Sequence, residues 1–168
     1  MEYNIGDAVV YGMNGVCRID AKESRNFEGT DETEYYRLVP VEAKSSAFYI
    51  PISTFDGRVR TPMTKEAIDE LIDSIPEILP EWDDDTNTRK NDYRQLLQEG
   101  DMKRLIGLTR ALNTFRDKQR ESGKKLPVAD EKSMHIAENI IYGEFAFVLG
   151  IPYEKVEDYI FERLKTYE

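Results

Sequence analysis

Residues able to do acid–base or nucleophilic chemistry are scarce in this chain. His135 is its only histidine and Cys17 its only cysteine, and neither has a second metal ligand or nucleophile at a useful spacing. We expect His135 to have a packing or surface role on a helix and Cys17 to be a small core residue on a strand. The three aspartates at 83–85 could hold a divalent cation, but such a run in a linker is usually solvated. No glycine-rich phosphate loop precedes a helix either. The sequence therefore predicts a binding protein and not an enzyme. We expect this protein to use no metal, no cofactor and no small-molecule substrate.

The distribution of charge is more informative than the catalytic residue types. The net charge is −10, yet residues 86–125 carry 11 basic and 5 acidic side chains between two acidic flanks. A clustered positive excess is typical of a surface that binds nucleic-acid phosphates, and the alternative is a solvated helix face. No base-reading motif accompanies it, so we expect binding that is largely independent of DNA sequence. The predicted phosphate contacts are Arg89, Lys90, Arg110, Lys118, Lys124, Lys125 and Lys132.

Trp82 is the only tryptophan and directly precedes this basic region. Two interpretations are open. The indole could pack back onto a neighbouring domain, or it could wedge against nucleic-acid bases at an unwound or bent step.

The first sixty residues show the short, turn-bounded pattern of antiparallel strands. Asn14-Gly15 is typical of a tight hairpin turn, and Gly29 is the expected positive-φ residue of a second turn. Alternating apolar and β-branched residues predict strands at 8–11, 16–21, 34–41 and 47–52, with a fifth short strand at 56–60. Five short strands without a crossover helix predict a small Tudor- or SH3-like antiparallel β-barrel.

Helical periodicity replaces this pattern after Pro62. Thr64 is a plausible N-cap for a first helix, and two prolines and three aspartates at 75–88 predict a linker. Apolar stripes then predict an all-α bundle with helices at 89–98, 101–120, 130–149 and 153–164. The predicted fold class is therefore α+β. It comprises a barrel at 1–62, a bridging helix and linker at 63–88, and a helical DNA-contacting domain at 89–168.

Hydropathy predicts a cytoplasmic protein with no membrane partner. No run of about 18 apolar residues exists to span a bilayer. The first residues, MEYNIGD, do not form a basic segment followed by an apolar one, as a secretory signal would. A lone cysteine also fits the reducing cytosol.

Several motifs together resemble the CarD family of bacterial transcription regulators, and the resemblance covers essentially the whole chain. The strongest is Y-x-I-G-D-x-V-V-Y-x-x-x-G at 3–15, followed by G-x-x-x-x-E-Y-Y-x-L at 29–38 and Y-I-P at 49–51. In the helical half, E-G-D at 99–101 and A-E-x-I-I-x-G-E-x-A at 137–146 also look like this family. The N-terminal module is similar to one in transcription-repair coupling factors.

The resemblance implies a specific function. The barrel would bind the β subunit of RNA polymerase, with Arg25, Phe27 and Tyr49 at the contact, and so associate the protein with the nucleoid. The helical domain would contact promoter DNA near the upstream edge of the transcription bubble, where a tryptophan wedges into the minor groove and stabilises the open complex. The chain departs from the family pattern in two places: Tyr49 stands where a basic residue is common, and Trp82 lies about four residues early.

Two other interpretations stay open at this point. The chain could bind polymerase or another protein without appreciable DNA contact, as the net charge of −10 and the aspartates at 83–85 indicate. It could also be a small enzyme with an unfamiliar site, although no motif supports that class.

Overall fold

The computed structural model describes residues 1–27, 29, 31–43 and 45–166. They divide into two compact units, Met1–Pro62 and Met63–Glu168. The first unit contains the strands and the second the helices, which confirms the predicted α+β class. The strands are β1 (Ala8–Val10), β2 (Val16–Arg25), β3 (Thr33–Pro40) and β4 (Phe48–Pro51). The helices are α1 (Lys65–Asp73), α2 (Thr86–Glu99), α3 (Met102–Glu121), α4 (Val128–Leu149) and α5 (Val156–Lys165).

The four strands form an antiparallel sheet in chain order, β1-β2-β3-β4. Because side chains alternate between the two faces of a sheet, one face collects the apolar residues. That face carries Val9, Cys17, Ile19, Leu38 and Ile50, and together with Phe55 from the turn after β4 it forms the core of the unit. Burial raises the pKa of the Cys17 thiol to about 11, so this thiol stays protonated and unreactive near neutral pH. The predicted core position of Cys17 is confirmed.

The predicted Tudor- or SH3-like barrel is present as a four-stranded antiparallel sheet that is not closed. In the described part of the first unit, the predicted fifth strand contributes a single bridge, between Val10 and Arg60. Phe55, in the turn after β4, covers the apolar face instead. Its ring packs edge-on against Tyr3 and Tyr36, with centroids 4.9 and 4.7 Å away. The core is therefore shielded by aromatic side chains and does not need hydrogen bonding between β1 and β4.

The helical unit is built around one apolar core to which all five helices contribute. Of the stripe predicted on α3, Leu105, Leu108 and Leu112 are buried, and Phe115 is partly buried against Trp82. α2 begins at residue 86, three residues earlier than predicted. The reason is that Asp85 caps it: the carboxylate accepts the Thr88 backbone N–H at 2.9 Å and the Thr88 hydroxyl at 2.7 Å. No helix within the described ranges is long and apolar enough to span a membrane.

Residues 63–88, predicted as a bridging helix and linker, lie inside the helical unit. α1 buries Ile68 and Ile72 in the shared core. It is also joined to α5, where Arg163 donates to the two carboxylate oxygens of Asp73 at 2.7 and 2.8 Å. The segment after α1 is held against α3, which fixes the position of Trp82.

Candidate functional site

The outer face of the N-terminal sheet brings together the three residues predicted to bind a protein partner. Arg25 ends β2, Phe27 follows it, and Tyr49 lies on β4. The Phe27 ring lies 5.2 Å from the Tyr49 ring and 5.1 Å from Tyr35, and the Arg25 guanidinium lies 5.3 Å from the Tyr49 ring centre. Phe27 is 55% exposed. These residues form an exposed cation–aromatic patch, a composition typical of the centre of protein interfaces.

A charge network borders this patch, and sequence reasoning missed it. Arg37 lies opposite Tyr49 in the β3–β4 register and binds both Asp20 and Glu23, the latter at 3.1 Å. Glu23 also accepts from Arg25 at 2.8 Å. Hydrogen bonds to Asp20 and to Tyr49 raise the pKa of Arg37 above its ordinary value. An acidic partner must therefore compete with Glu23 for Arg25.

A β-bulge explains why Asp20 can reach Arg37. The β2–β3 register shifts between Ile19 and Ala21, so Asp20 is the extra residue on β2. The sequence could have shown which side chains share the outer face, because Glu23 and Arg25 are two residues apart on β2, as Tyr35 and Arg37 are on β3. It could not have shown the bulge, because the bulge depends on how two distant strands pair.

Trp82 is fixed to the helical unit on three sides and keeps 41% of its surface exposed. Its ring packs at 4.9 Å against Phe115 of α3 and at 4.5 Å against the guanidinium of Arg89 on α2. The indole N–H donates to the Asp84 carboxylate at 2.8 Å. Beside the ring, a groove of about 430 Å³ runs along α3 to Lys118. The indole is thus both packed and presented to solvent.

The segment that carries Trp82, residues 75–85, is called the strap here because it crosses α3 closely. The crossing is at Gly107, whose carbonyl accepts the Glu81 backbone N–H at 3.1 Å. A Cβ at position 107 would lie 2.6 Å from the Leu79 carbonyl oxygen, so only glycine fits without displacing the strap. The Tyr93 hydroxyl donates to the Glu81 carbonyl at 2.7 Å, and Arg104 pairs with the Glu81 carboxylate at 2.9 Å.

Two of the seven predicted phosphate contacts hold the strap in place. Arg110 donates to the carbonyls of Ile75 and Ile78 at 2.6 and 2.7 Å. Arg89 is only 2% exposed and forms a bidentate pair with Asp130 of α4, at 2.9 and 2.7 Å. Hydrogen bonding to Asp130 raises the pKa of Arg89, despite its burial. Arg89 is therefore buried, and Arg110 is half-buried with one guanidinium nitrogen bound to the strap, contacts that the sequence interpretation did not foresee.

The other five predicted phosphate contacts, Lys90, Lys118, Lys124, Lys125 and Lys132, are exposed, and no ion pair involves them among the described residues. Arg116 and Arg120 of α3 join Lys124 and Lys125 around a cleft of about 650 Å³. Arg116 and Arg120 were left out of the predicted set because their helical positions lie near the core edge. Among the described residues, at least nine of the fifteen other arginines and lysines pair with carboxylates. The group around the cleft is therefore mainly positive, although Glu131 and Glu138 also line it.

Each aspartate of the 83–85 run has a local structural role. Asp83 accepts the Asp85 backbone N–H at 2.8 Å, Asp84 accepts the indole N–H of Trp82, and Asp85 caps α2. Among the described residues, no group of three or more histidine, cysteine, aspartate or glutamate side chains could hold a metal ion. His135 is exposed on α4 and lies 3.2 Å from the Asn139 side chain.

Residues 3–62 match the family model of the CarD-like/TRCF RID domain. The matched residues span the first compact unit and include the whole outer face. This is an RNA polymerase β-interacting domain, and the match is consistent with the predicted CarD-like protein. No curated protein matches the chain.

Proposed function

We propose, from the CarD-like/TRCF RID domain at residues 3–62, that this protein is a non-catalytic transcription regulator. It binds the β subunit of RNA polymerase through the outer face of its sheet. It binds promoter DNA through its helical unit, and it modulates the stability of the open complex. The domain match is the observation that carries this proposal.

Two features of the first unit support polymerase binding. The patch of Arg25, Phe27 and Tyr49 offers aromatic area and one exchangeable cation for an acidic partner surface. In addition, β4 is the last strand in the sheet order and pairs on one side only, with β3, in the described residues. A strand of the partner can add to such an edge through backbone hydrogen bonds, while the outer face supplies side-chain contacts.

The exposed cations of the helical unit support DNA contact. Lys118 lies in the groove beside Trp82, and Lys124 and Lys125 line the larger cleft with Arg116 and Arg120. Lysines that lack carboxylate partners are the groups that phosphate can engage without first breaking an ion pair. The half-exposed indole of Trp82 can stack on an unpaired base at the bubble edge. DNA binding by this unit alone is expected to be weak, and attachment to polymerase raises its effective concentration at the promoter.

The alternative is a polymerase-binding module without appreciable DNA contact. The observation that favours it is that Arg89 and Arg110 are engaged by internal partners, in a chain of net charge −10. The two functions predict the same polymerase binding and differ in DNA binding.

One experiment separates them. The full chain is labelled and titrated with isolated β subunit, and separately with two unrelated duplexes at several salt concentrations. The proposal predicts binding to the β subunit, and weak, salt-sensitive binding of similar strength to both duplexes. Binding to the β subunit with none to either duplex would favour the alternative, and failure to bind the β subunit would contradict both.

A further inference from the structure

The buried pair of Arg89 and Asp130 lies directly beneath the indole of Trp82. The Arg89 guanidinium donates to both Asp130 oxygens, at 2.9 and 2.7 Å, and to the Asp83 carbonyl at 2.9 Å. Its plane is covered by two aromatic rings, Trp82 at 4.5 Å and Phe115 at 5.3 Å. A single cation therefore connects α2, α4, the strap and the exposed tryptophan.

We infer that this pair is a positioning device for Trp82. Asp130 fixes the orientation of the Arg89 guanidinium, and the guanidinium fixes the plane and the outward edge of the indole. Arg89 and Asp130 are thus positioning residues that act through Trp82 and do not themselves touch a ligand. The functional part of this inference rests on the proposed function, whereas the positioning itself can be tested on the free protein.

Stability alone is a poor explanation for such a pair. A buried ion pair can often be replaced by apolar residues of similar volume without loss of stability, because desolvation offsets the attraction between the charges. An apolar replacement would fill the same space but would have no hydrogen-bond donors in fixed directions. The planar guanidinium has fixed donor directions and two flat faces, so it sets an angle that aliphatic side chains cannot set.

The pair also helps to explain how Trp82, although three aspartates follow it, can remain available to stack on a nucleic-acid base. The Asp83 carbonyl is satisfied by Arg89, and the Asp84 carboxylate is occupied by the indole N–H. Each of the three carboxylates also accepts a hydrogen bond from a group close to it in the chain, while Asp84 and Asp85 stay exposed. A ring that is already oriented loses less conformational freedom when it binds, which strengthens binding without any added contact.

Trp82 is the only tryptophan, so intrinsic fluorescence reports directly on its position. The test variant is the double substitution Arg89→Met with Asp130→Leu, which removes both charges and keeps the space filled. The single variant Asp130→Asn keeps the shape and removes one charge. The matched control is Asp73→Asn, which alters another bidentate pair, with Arg163, that joins α1 to α5.

Both test variants are expected to increase collisional quenching of Trp82 by acrylamide, up to about two-fold, because 41% of the side chain is already exposed. They are also expected to lower its steady-state anisotropy. Asp73→Asn should change neither signal, and the melting temperature of the double variant should stay close to that of the wild type.

Unchanged quenching and anisotropy in the folded double variant would overturn the inference, as would an equal change in Asp73→Asn. If Asp130→Asn does not fold, the double variant decides, since it leaves no buried unpaired charge. In open-complex assays, the double variant should lose the effect of Trp82 on lifetime. A wild-type protein without effect on lifetime would refute the proposed function and leave the fluorescence result intact.

Discussion

Replacing Gly107 by alanine is expected to destabilise the helical unit, although alanine is the better helix former. The gain in helix propensity is about 1 kcal/mol. Against it, the new Cβ would lie 2.6 Å from the Leu79 carbonyl oxygen and 3.1 Å from Cγ of Glu81. Ordinary contact begins near 3.4 Å, so the strap must move away by about 0.8 Å. The Glu81 N–H bond to Gly107 is then stretched or broken.

The magnitude follows from these opposing effects. Overpacking typically costs about 1–3 kcal/mol, and breaking a hydrogen bond adds about 1 kcal/mol. After the gain in propensity, the expected net loss is about 1–3 kcal/mol, which lowers the melting temperature by roughly 5–15 °C for a unit of this size. Circular dichroism at 222 nm follows this transition, and Trp82 fluorescence follows the displacement of the strap.

Gly143→Ala is the matched control, because it makes the same substitution in α4, where a new Cβ meets nothing within 4 Å. That variant is expected to be stabilised by up to about 1 kcal/mol. If Gly107→Ala raised the melting temperature as Gly143→Ala does, the close crossing of strap and helix would be refuted.

Two further predictions concern the binding surfaces. Arg25→Glu should weaken binding to the β subunit and leave the melting curve unchanged, because it reverses an exposed charge. Calorimetry measures the affinity, and the control is Arg58→Glu, which reverses another exposed charge and is expected to retain affinity. Equal affinity for both variants would remove Arg25 from the interface. The double substitution Lys124→Ala with Lys125→Ala should lower the slope of log K against log salt for DNA binding by up to about 1.8, because each lysine bound to a phosphate contributes about 0.9 to that slope. An unaltered slope would favour the polymerase-only alternative.

Local sequence signals predicted the elements of this fold well. The Leu105, Leu108 and Leu112 spacing marks the buried face of α3, and the capping residue Thr64 starts α1 where the sequence predicts it. These signals act within a few residues, so they can be recognised without knowing the tertiary structure.

What the sequence could not show depends on long-range contacts. Arg89 looked like a surface cation because its partner, Asp130, lies 41 residues away. Arg110 likewise binds carbonyls 32 and 35 residues away. Barrel closure depends on whether the first and last strands pair, and no local pattern reports this. Charge counting by segment could not tell the arginines that have internal partners from the exposed lysines.

The central claim is tested most directly by the lifetime of promoter open complexes after challenge with a competitor polyanion. The lifetime is measured without the protein, with the wild type and with Trp82→Ala, each at a concentration that saturates polymerase. The proposed function predicts that the wild type changes the lifetime. Trp82→Ala should shorten it by roughly tenfold relative to the wild type, because stacking on a base contributes about 1–3 kcal/mol. Lifetimes that are the same with wild type and Trp82→Ala, while both proteins occupy the polymerase, would contradict it.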